Sequence, residues 1–116
     1  MEKHIETGRL GESLAAKWLK CQGFEILFRN FRIGRYEIDL VARKCQVLHF
    51  IEVKTSRSLE FGFPESRINK SKRRSMIKSV RAYLFKIRPK TSIQIDVLSV
   101  CILKSGTEYF LFENIF

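Results

Sequence analysis

Several common classes of protein are excluded by what this chain lacks. Its three cysteines, Cys21, Cys45 and Cys101, are scattered with no close pair. That suggests neither a disulfide framework nor a zinc site and fits a reducing cytosol. No run approaches the ~18 apolar residues of a membrane helix, and the N-terminal MEKHIETGR has no apolar signal-peptide core. A cytoplasmic protein with no membrane partner is therefore expected. There is no glycine-rich phosphate loop, since Gly62 and Pro64 make only a turn signal. The serines stand without a His-and-acid constellation, so a serine nucleophile is not supported. His4 and His49 each lack a second metal ligand at useful spacing. Repeats, linkers and low-complexity tracts are also absent.

One further absence is local. Between Arg67 and Lys90 the chain carries ten basic residues and no acidic one. The net charge is +10, and the rest of the chain balances twelve basic residues against all twelve acidic ones. The whole excess therefore sits in this segment. A merely solubilising surface mixes both signs, whereas a block of one sign is the electrostatic footprint of a polyanion binder. Lys70, Lys72, Arg73 and Arg74, with Lys78 a turn further on, crowd the start of the helix predicted there. The helix dipole favours acids at that end, and each cation gives up roughly 0.3–1 kcal/mol relative to a favourable placement. Phosphates reverse the sign, because helix N-termini and cationic side chains both attract them. These five residues are read as contacts to a nucleic-acid backbone.

With 116 residues, 45% of them hydrophobic and ten Phe, the chain can bury one ordinary core, and a single domain over 1–116 is expected. Residues 7–21 read as a helix capped by Thr7, with Leu10, Leu14, Ala15 and Trp18 at helical spacing and Gly23 as the stop. FEILF (24–28) reads as a strand and NFRIGR as a turn, followed by an alternating strand, YEIDLVA (36–42). RKCQ makes a short hairpin to a third strand, VLHFIEVKT (47–55). A loop is expected over 56–68, then a helix over 69–87 with Met76, Ile77, Val80, Tyr83, Leu84 and Ile87 on one face and Pro89 as its end. SIQIDVLSVCIL (92–103) and EYFLF (108–112) are the last strands, joined through KSGT. The order is αβββαβ plus a trailing strand, an α/β domain with a mixed five-stranded sheet flanked by helices. The strand over 47–55 belongs in the sheet interior, because both of its faces are largely apolar.

That interior strand carries Glu52 and Lys54, and a buried charge is costly unless it is paired, hydrogen-bonded or holding a metal. Residues two apart in a strand share a face. Glu37 and Asp39 are expected to point one way and Ile38, Leu40 and Ala42 the other, while Glu52 and Lys54 share a face with Leu48 and Phe50. A hairpin of this length can set Asp39 beside Glu52. Two converging carboxylates repel each other, and a divalent cation removes the repulsion; Mg²⁺ favours one or two carboxylates together with waters and substrate phosphate oxygens. A lysine alongside can orient the attacking water and offset charge developing on phosphate. The same residues also fit a cross-strand ion-pair ladder of Glu52 and Lys54 with Asp39 and Glu37.

Asp39…Glu52-Val53-Lys54 resembles the PD-(D/E)xK nuclease motif, and αβββαβ is the core of that restriction-endonuclease-like fold. Over nearly its full length the chain resembles the YraN-like family of small bacterial proteins. The matching pieces are GESLAAKWL and GF within residues 11–24, then EIDLVA, FIEVKT, FGFP, SKRR, AYL and IDVLSV. The resemblance implies a restriction-endonuclease-like domain related to Holliday-junction resolvases and the tRNA-endonuclease fold group. It implies Asp39 and Glu52 as metal ligands and Lys54 as the catalytic lysine. Glu12 matches the helical glutamate that reaches the metal in the resolvase-like branch, Glu37 the first carboxylate of the family's G-E-I-D-L stretch, and Lys72 a lysine on the helix after the motif. The chain departs from the family in placing Tyr36 where Gly is usual, which sets a bulky ring beside Glu37.

On a helical wheel Glu12 lies about 20° from Leu19, at the rim of the apolar face, from which it can swing toward a sheet-end site or pair with a lysine in water. His49, on the opposite strand face from Glu52, is read as a packed or hydrogen-bonded histidine. Asp96 is read as a structural acid paired with an arginine. The expected activity is a Mg²⁺- or Mn²⁺-dependent nuclease hydrolysing phosphodiesters, with Glu12 and Glu37 assisting Asp39, Glu52 and Lys54. The expected partner is nucleic acid, DNA before RNA. The resolvase likeness implies branched DNA, for which a symmetric homodimer is expected. The rival reading is a non-catalytic nucleic-acid-binding module of the same fold.

Overall fold

Seven segments whose apolar residues recur with the period of a helix or of a strand become seven elements in the computed structural model. It describes residues 2–57 and 70–114, without the side chains of residues 2–7, 70, 72 and 73. The elements are α1 (Glu2–Cys21), β1 (Glu25–Ile33), β2 (Tyr36–Lys44), β3 (Val47–Ser56), α2 (Lys70–Ile87), β4 (Ser92–Leu103) and β5 (Gly106–Phe112). Apart from Ser56 and Arg57, the loop expected over 56–68 lies outside the described residues.

Helix α1 starts upstream of the expected Thr7 cap, because EKHIE contains no breaker and good helix formers carry the turn outward. Its end is as expected. The amide of Phe24 donates to the Leu19 carbonyl at 2.9 Å and that of Gly23 to the Lys20 carbonyl at 3.1 Å. Gly23 holds φ at 93°, the left-handed turn that this double bond requires. Helix α2 ends through a single bond from the Arg88 amide to the Leu84 carbonyl at 2.8 Å, with Arg88 at φ 47°. A non-glycine residue in that left-handed position costs about 1–2 kcal/mol.

The five strands form one mixed sheet in the order β1-β2-β3-β4-β5. β1, β2 and β3 pair antiparallel, β3 and β4 pair parallel, and β5 returns antiparallel to β4. β3 is therefore central, as its two apolar faces predict, and the parallel β3–β4 pair demands the crossover that α2 supplies. Element order and sheet are compatible with a restriction-endonuclease-like core.

One helix covers each sheet face. On one side Ala15, Ala16 and Leu19 of α1 pack with Leu40, Ala42, Ile51, Leu98 and Val100. On the other, Met76 and Val80 of α2 pack with Ile33, Ile38, Val41, Phe50 and Ile95. These lists expose a break in β2. Ile38 and Val41 lie under α2 while Leu40 and Ala42 lie under α1, so the simple alternation expected over 36–42 does not run through Asp39. Its neighbour strand breaks at the same level: Arg29 pairs with Leu40 and Phe31 with Ile38, and Asn30 between them has φ 52°. Asn tolerates the left-handed region, so NFRI continues β1 rather than turning, and Gly34–Arg35 makes the turn.

Candidate functional site

The break at Asp39 has a direct consequence. Pairing between β2 and β3 stops at Leu40–Ile51, so the Val53 amide lies beyond the β2–β3 ladder. Asp39 supplies a side-chain acceptor instead: its Oδ2 takes the hydrogen bond of the Val53 amide at 2.8 Å. The Asp39 carboxylate therefore abuts the Glu52–Val53 peptide. Alternation along β3 puts Glu52 and Lys54 on the same face as Leu48 and Phe50, under α2. Glu52 is only 6% exposed, and the Tyr36 hydroxyl donates to its Oε2 at 3.4 Å. Tyr36, the residue that departs from the family pattern, thus leans on the expected ligand. Lys54 is half-buried. The Asp39 carboxylate thus lies against the peptide that joins Glu52 to Val53, with Lys54 the next residue along the Glu52 face.

Glu37 goes elsewhere. Tyr36 and Ile38 face α2, so Glu37 between them points to the other side, where its exposed carboxylate meets the Arg32 guanidinium at 3.4 Å. Glu12 also belongs to the α1 side, half-buried. Its neighbour Gly11 sits so close to β3 that a Cβ there would lie 2.8 Å from the Cβ of Thr55. This contact puts Glu12 at the Thr55 end of β3, the end that carries Glu52 and Lys54, across the sheet edge from them.

Helix α2 runs on the Glu52 side of the sheet. Its last residues lead within a few positions to Ser92, which pairs with Val47 at the start of β3. Its first turn therefore points to the Ser56 end, and the cationic start of the helix and the Glu52–Lys54 stretch share that end. Arg74 and Lys78 are exposed and, with Ile77 and Arg81, line an open groove of about 360 Å³. The side chains of Lys70, Lys72 and Arg73 lie outside the described residues, although their backbone is in α2.

On the α1 side, the structure shows a polar pair that sequence reading only half anticipated. His49 Nδ1–H donates to Asp96 Oδ2 at 2.6 Å, with both residues buried. The other oxygen, Oδ1, accepts the Asn114 amide at 2.8 Å. Asp96 was expected to pair with an arginine; the parallel register sets it diagonally beside His49 instead. The exposed Glu113 brings a carboxylate within 4.8 Å of this pair, the one group of three His, Cys or acidic side chains among the described residues that converges so closely. Asp96 is already satisfied on both oxygens, so this pair ties β3, β4 and the chain after β5 together. A second missed feature is Phe85, an aromatic ring 76% exposed on α2. Its only sequence signal is its distance from the apolar face of that helix.

Among the described residues no helix is long and apolar enough to cross a membrane. Residues 11–100 match the model of a family described as "Uncharacterised protein family UPF0102". Similar proteins include a UPF0102 protein of Helicobacter pylori, 42% identical over 113 residues that cover 97% of this chain and 93% of the relative. Another, from Dictyoglomus thermophilum, is 38% identical over 102 residues, or 87% of this chain and 86% of the relative. A third, from Chlorobium phaeobacteroides, is 38% identical over 96 residues, 82% of this chain and 76% of the relative.

Proposed function

The chain belongs to the UPF0102 family, and on that premise we propose that it is a divalent-metal-dependent nuclease that hydrolyses phosphodiester bonds in nucleic acid. The observation that carries this reading is the Asp39–Val53 hydrogen bond at 2.8 Å. It sets one carboxylate on the Val53 amide, next in the chain to Glu52 and its buried carboxylate, at the sheet end toward which the cationic start of α2 points.

The donor set fits Mg²⁺ or Mn²⁺. Carboxylates are hard oxygen ligands, and one or two of them with waters and phosphate oxygens make a typical Mg²⁺ environment. Asp39 and Glu52 would hold the ion; Glu12, which does not converge with both of them within 4.8 Å, would have to swing over the end of the sheet to join them. When bound, the ion supplies an activated water and neutralises charge on the phosphate. The protein groups do the rest. Lys54, an ammonium donor on the Glu52 face, orients the attacking water and offsets charge building on the phosphoryl oxygens. The Tyr36 hydroxyl and the Val53 amide hold Glu52 and Asp39 in place. Arg74, Lys78 and the cations at the start of α2 grip the backbone, DNA before RNA, without reading bases.

One observation favours the rival, a binding module that does not cleave: Asp39 already performs a structural task by terminating the β2–β3 ladder. The two readings separate when purified protein is incubated with labelled linear, branched and single-stranded substrates, with Mg²⁺ or Mn²⁺ and with chelator. Glu52→Gln is expected to abolish metal-dependent cleavage while affinity in chelator stays unchanged, because an amide binds the ion poorly. Equal cleavage by wild type and variant would reveal a contaminating nuclease and leave the binding module standing.

A further inference from the structure

Positions 74, 78, 81, 85 and 88 follow one another at steps of four, three, four and three. At about 100° per residue the four within α2, 74 to 85, fall within about 60° of one another, a single stripe along the helix, and Arg88 follows one residue past its end. All five side chains are exposed, and Met76 and Val80, which face the core, lie off the stripe. Four of the five are Arg74, Lys78, Arg81 and Arg88. The fifth is Phe85, the most exposed large apolar side chain among the described residues at 76%. The Arg88 guanidinium lies 5.6 Å from its ring centroid. Arg88 itself occupies a left-handed position at the helix end that Gly would fill more easily.

We propose that Phe85 is a stacking platform for an unpaired base, so that the strand gripped by α2 is single-stranded or locally unpaired nucleic acid rather than continuous duplex. This rests on the nucleic-acid reading above and deepens it by naming the substrate class. A lone exposed Phe on a neutral surface calls for no explanation. This one interrupts a row of cations, and the ligand that suits such a row must offer negative charge and a flat apolar face together, one step apart. An unpaired nucleotide does so: its phosphate meets Arg81 or Arg88 and its base lies on the ring, where stacking is tolerant of sequence. In a duplex the base faces are already stacked on each other, and the outer surface gives the ring only sugar and phosphate. Along the helix Phe85 is about 16 Å from Arg74, toward the end of α2 away from Glu52. The unpaired segment is thus held at a distance from the bond that Asp39 and Glu52 would address. A protein partner for Phe85 would need an acidic rim around an apolar pocket to satisfy the same arginines.

The test measures affinity of the full chain, in chelator, for a labelled single-stranded oligonucleotide and for the duplex of the same length. Phe85→Ala is expected to weaken single-strand binding about 5- to 150-fold, the range of one lost stacking contact, and to change duplex binding less than about twofold. Phe85→Trp should restore single-strand binding, whereas Phe85→Leu, apolar but without a π-face, should not. The slope of log affinity against log salt should stay the same in all three, because no phosphate contact is removed. The side chain is exposed, so unchanged circular dichroism is expected throughout. The proposal is overturned if Phe85→Ala lowers both affinities alike, if it lowers neither (the result a protein-docking ring would give), or if Phe85→Leu binds as well as wild type. Failure of the underlying reading looks different: wild type would then bind neither oligonucleotide, and the stacking platform would fall with it.

Discussion

Two glycines of α1 invite the same substitution and should answer it differently. Gly8 and Gly11 both lie inside the helix, where Gly→Ala is worth about 1 kcal/mol of helix propensity. Among the described residues a Cβ on Gly8 meets nothing within 4 Å, so Gly8→Ala should collect that gain. A Cβ on Gly11 would collide with the Oγ1 of Thr55 and lie 2.8 Å from its Cγ2 and Cβ. Rotating Thr55 moves Oγ1 and Cγ2 aside, but its Cβ is fixed to the β3 backbone. Carbon atoms rest about 3.5–4.0 Å apart, so α1 must withdraw by about 1 Å. Overpacking of this kind costs about 1–3 kcal/mol. The two variants should therefore differ by about 1–3 kcal/mol, with Gly8→Ala above wild type and Gly11→Ala at or below it. Urea unfolding followed by circular dichroism reads this difference directly, and in thermal unfolding it should appear as on the order of 4 °C per kcal/mol. Adding Thr55→Ala to Gly11→Ala removes Oγ1 and Cγ2 and should recover part of the loss, a coupling that a double-mutant cycle isolates. Gly11 precedes Glu12 and Thr55 follows Lys54, so a lifted helix should also depress cleavage while backbone binding through α2 persists. If Gly11→Ala stabilises the protein as much as Gly8→Ala, α1 does not approach β3 in this way, and the placement of Glu12 at that end of the sheet fails.

Replacing Arg74, Lys78 and Arg81 together by Ala should weaken binding about equally across sequences. For duplex DNA it should flatten the plot of log affinity against log salt by about 0.9 per lost phosphate contact; an unchanged slope in a folded variant would put the binding surface elsewhere. Asp96→Ala leaves the buried Nδ1–H of His49 without its acceptor and should cost about 1–3 kcal/mol in urea unfolding, whereas a neutral result would mean that water replaces the carboxylate. The Tyr109 phenol is pushed above its ordinary value by burial and, after that, by the neighbouring Cys21. The unfolded chain therefore ionises first, and this contribution to stability, complete below about pH 10, is lost as pH rises through the folded value. Tyr109→Phe keeps the ring that stacks on Trp18 at 5.1 Å and should reduce the alkaline loss of stability, which ultraviolet titration of the phenol and unfolding at two pH values would check.

Much of the fold was legible because its signals are local. Gly23 ends α1 through its own left-handed backbone, Met76 and Val80 recur at the helical period, and the two apolar faces of 47–55 need cover on both sides, which only a central strand receives. The acid-free block before Lys90 likewise declared a cationic surface without any coordinates. Other features depended on partners that the chain does not announce. NFRI looked like a turn because Asn30 favours one, yet a paired strand lets Asn30 take φ 52° and continue. The alternation of YEIDLVA breaks at Asp39 because β2 leaves β3 there, and that departure turns Asp39 from one carboxylate in a row into the acceptor of the Val53 amide. His49 and Asp96 are 47 residues apart and meet through the parallel register of β3 and β4. Glu37 has the same sequence credentials as Asp39 but is turned away to Arg32. Side-chain period is a property of the backbone and can be read from the chain; which acid meets which amide depends on strand register and on where pairing stops, and only the assembled sheet decides that.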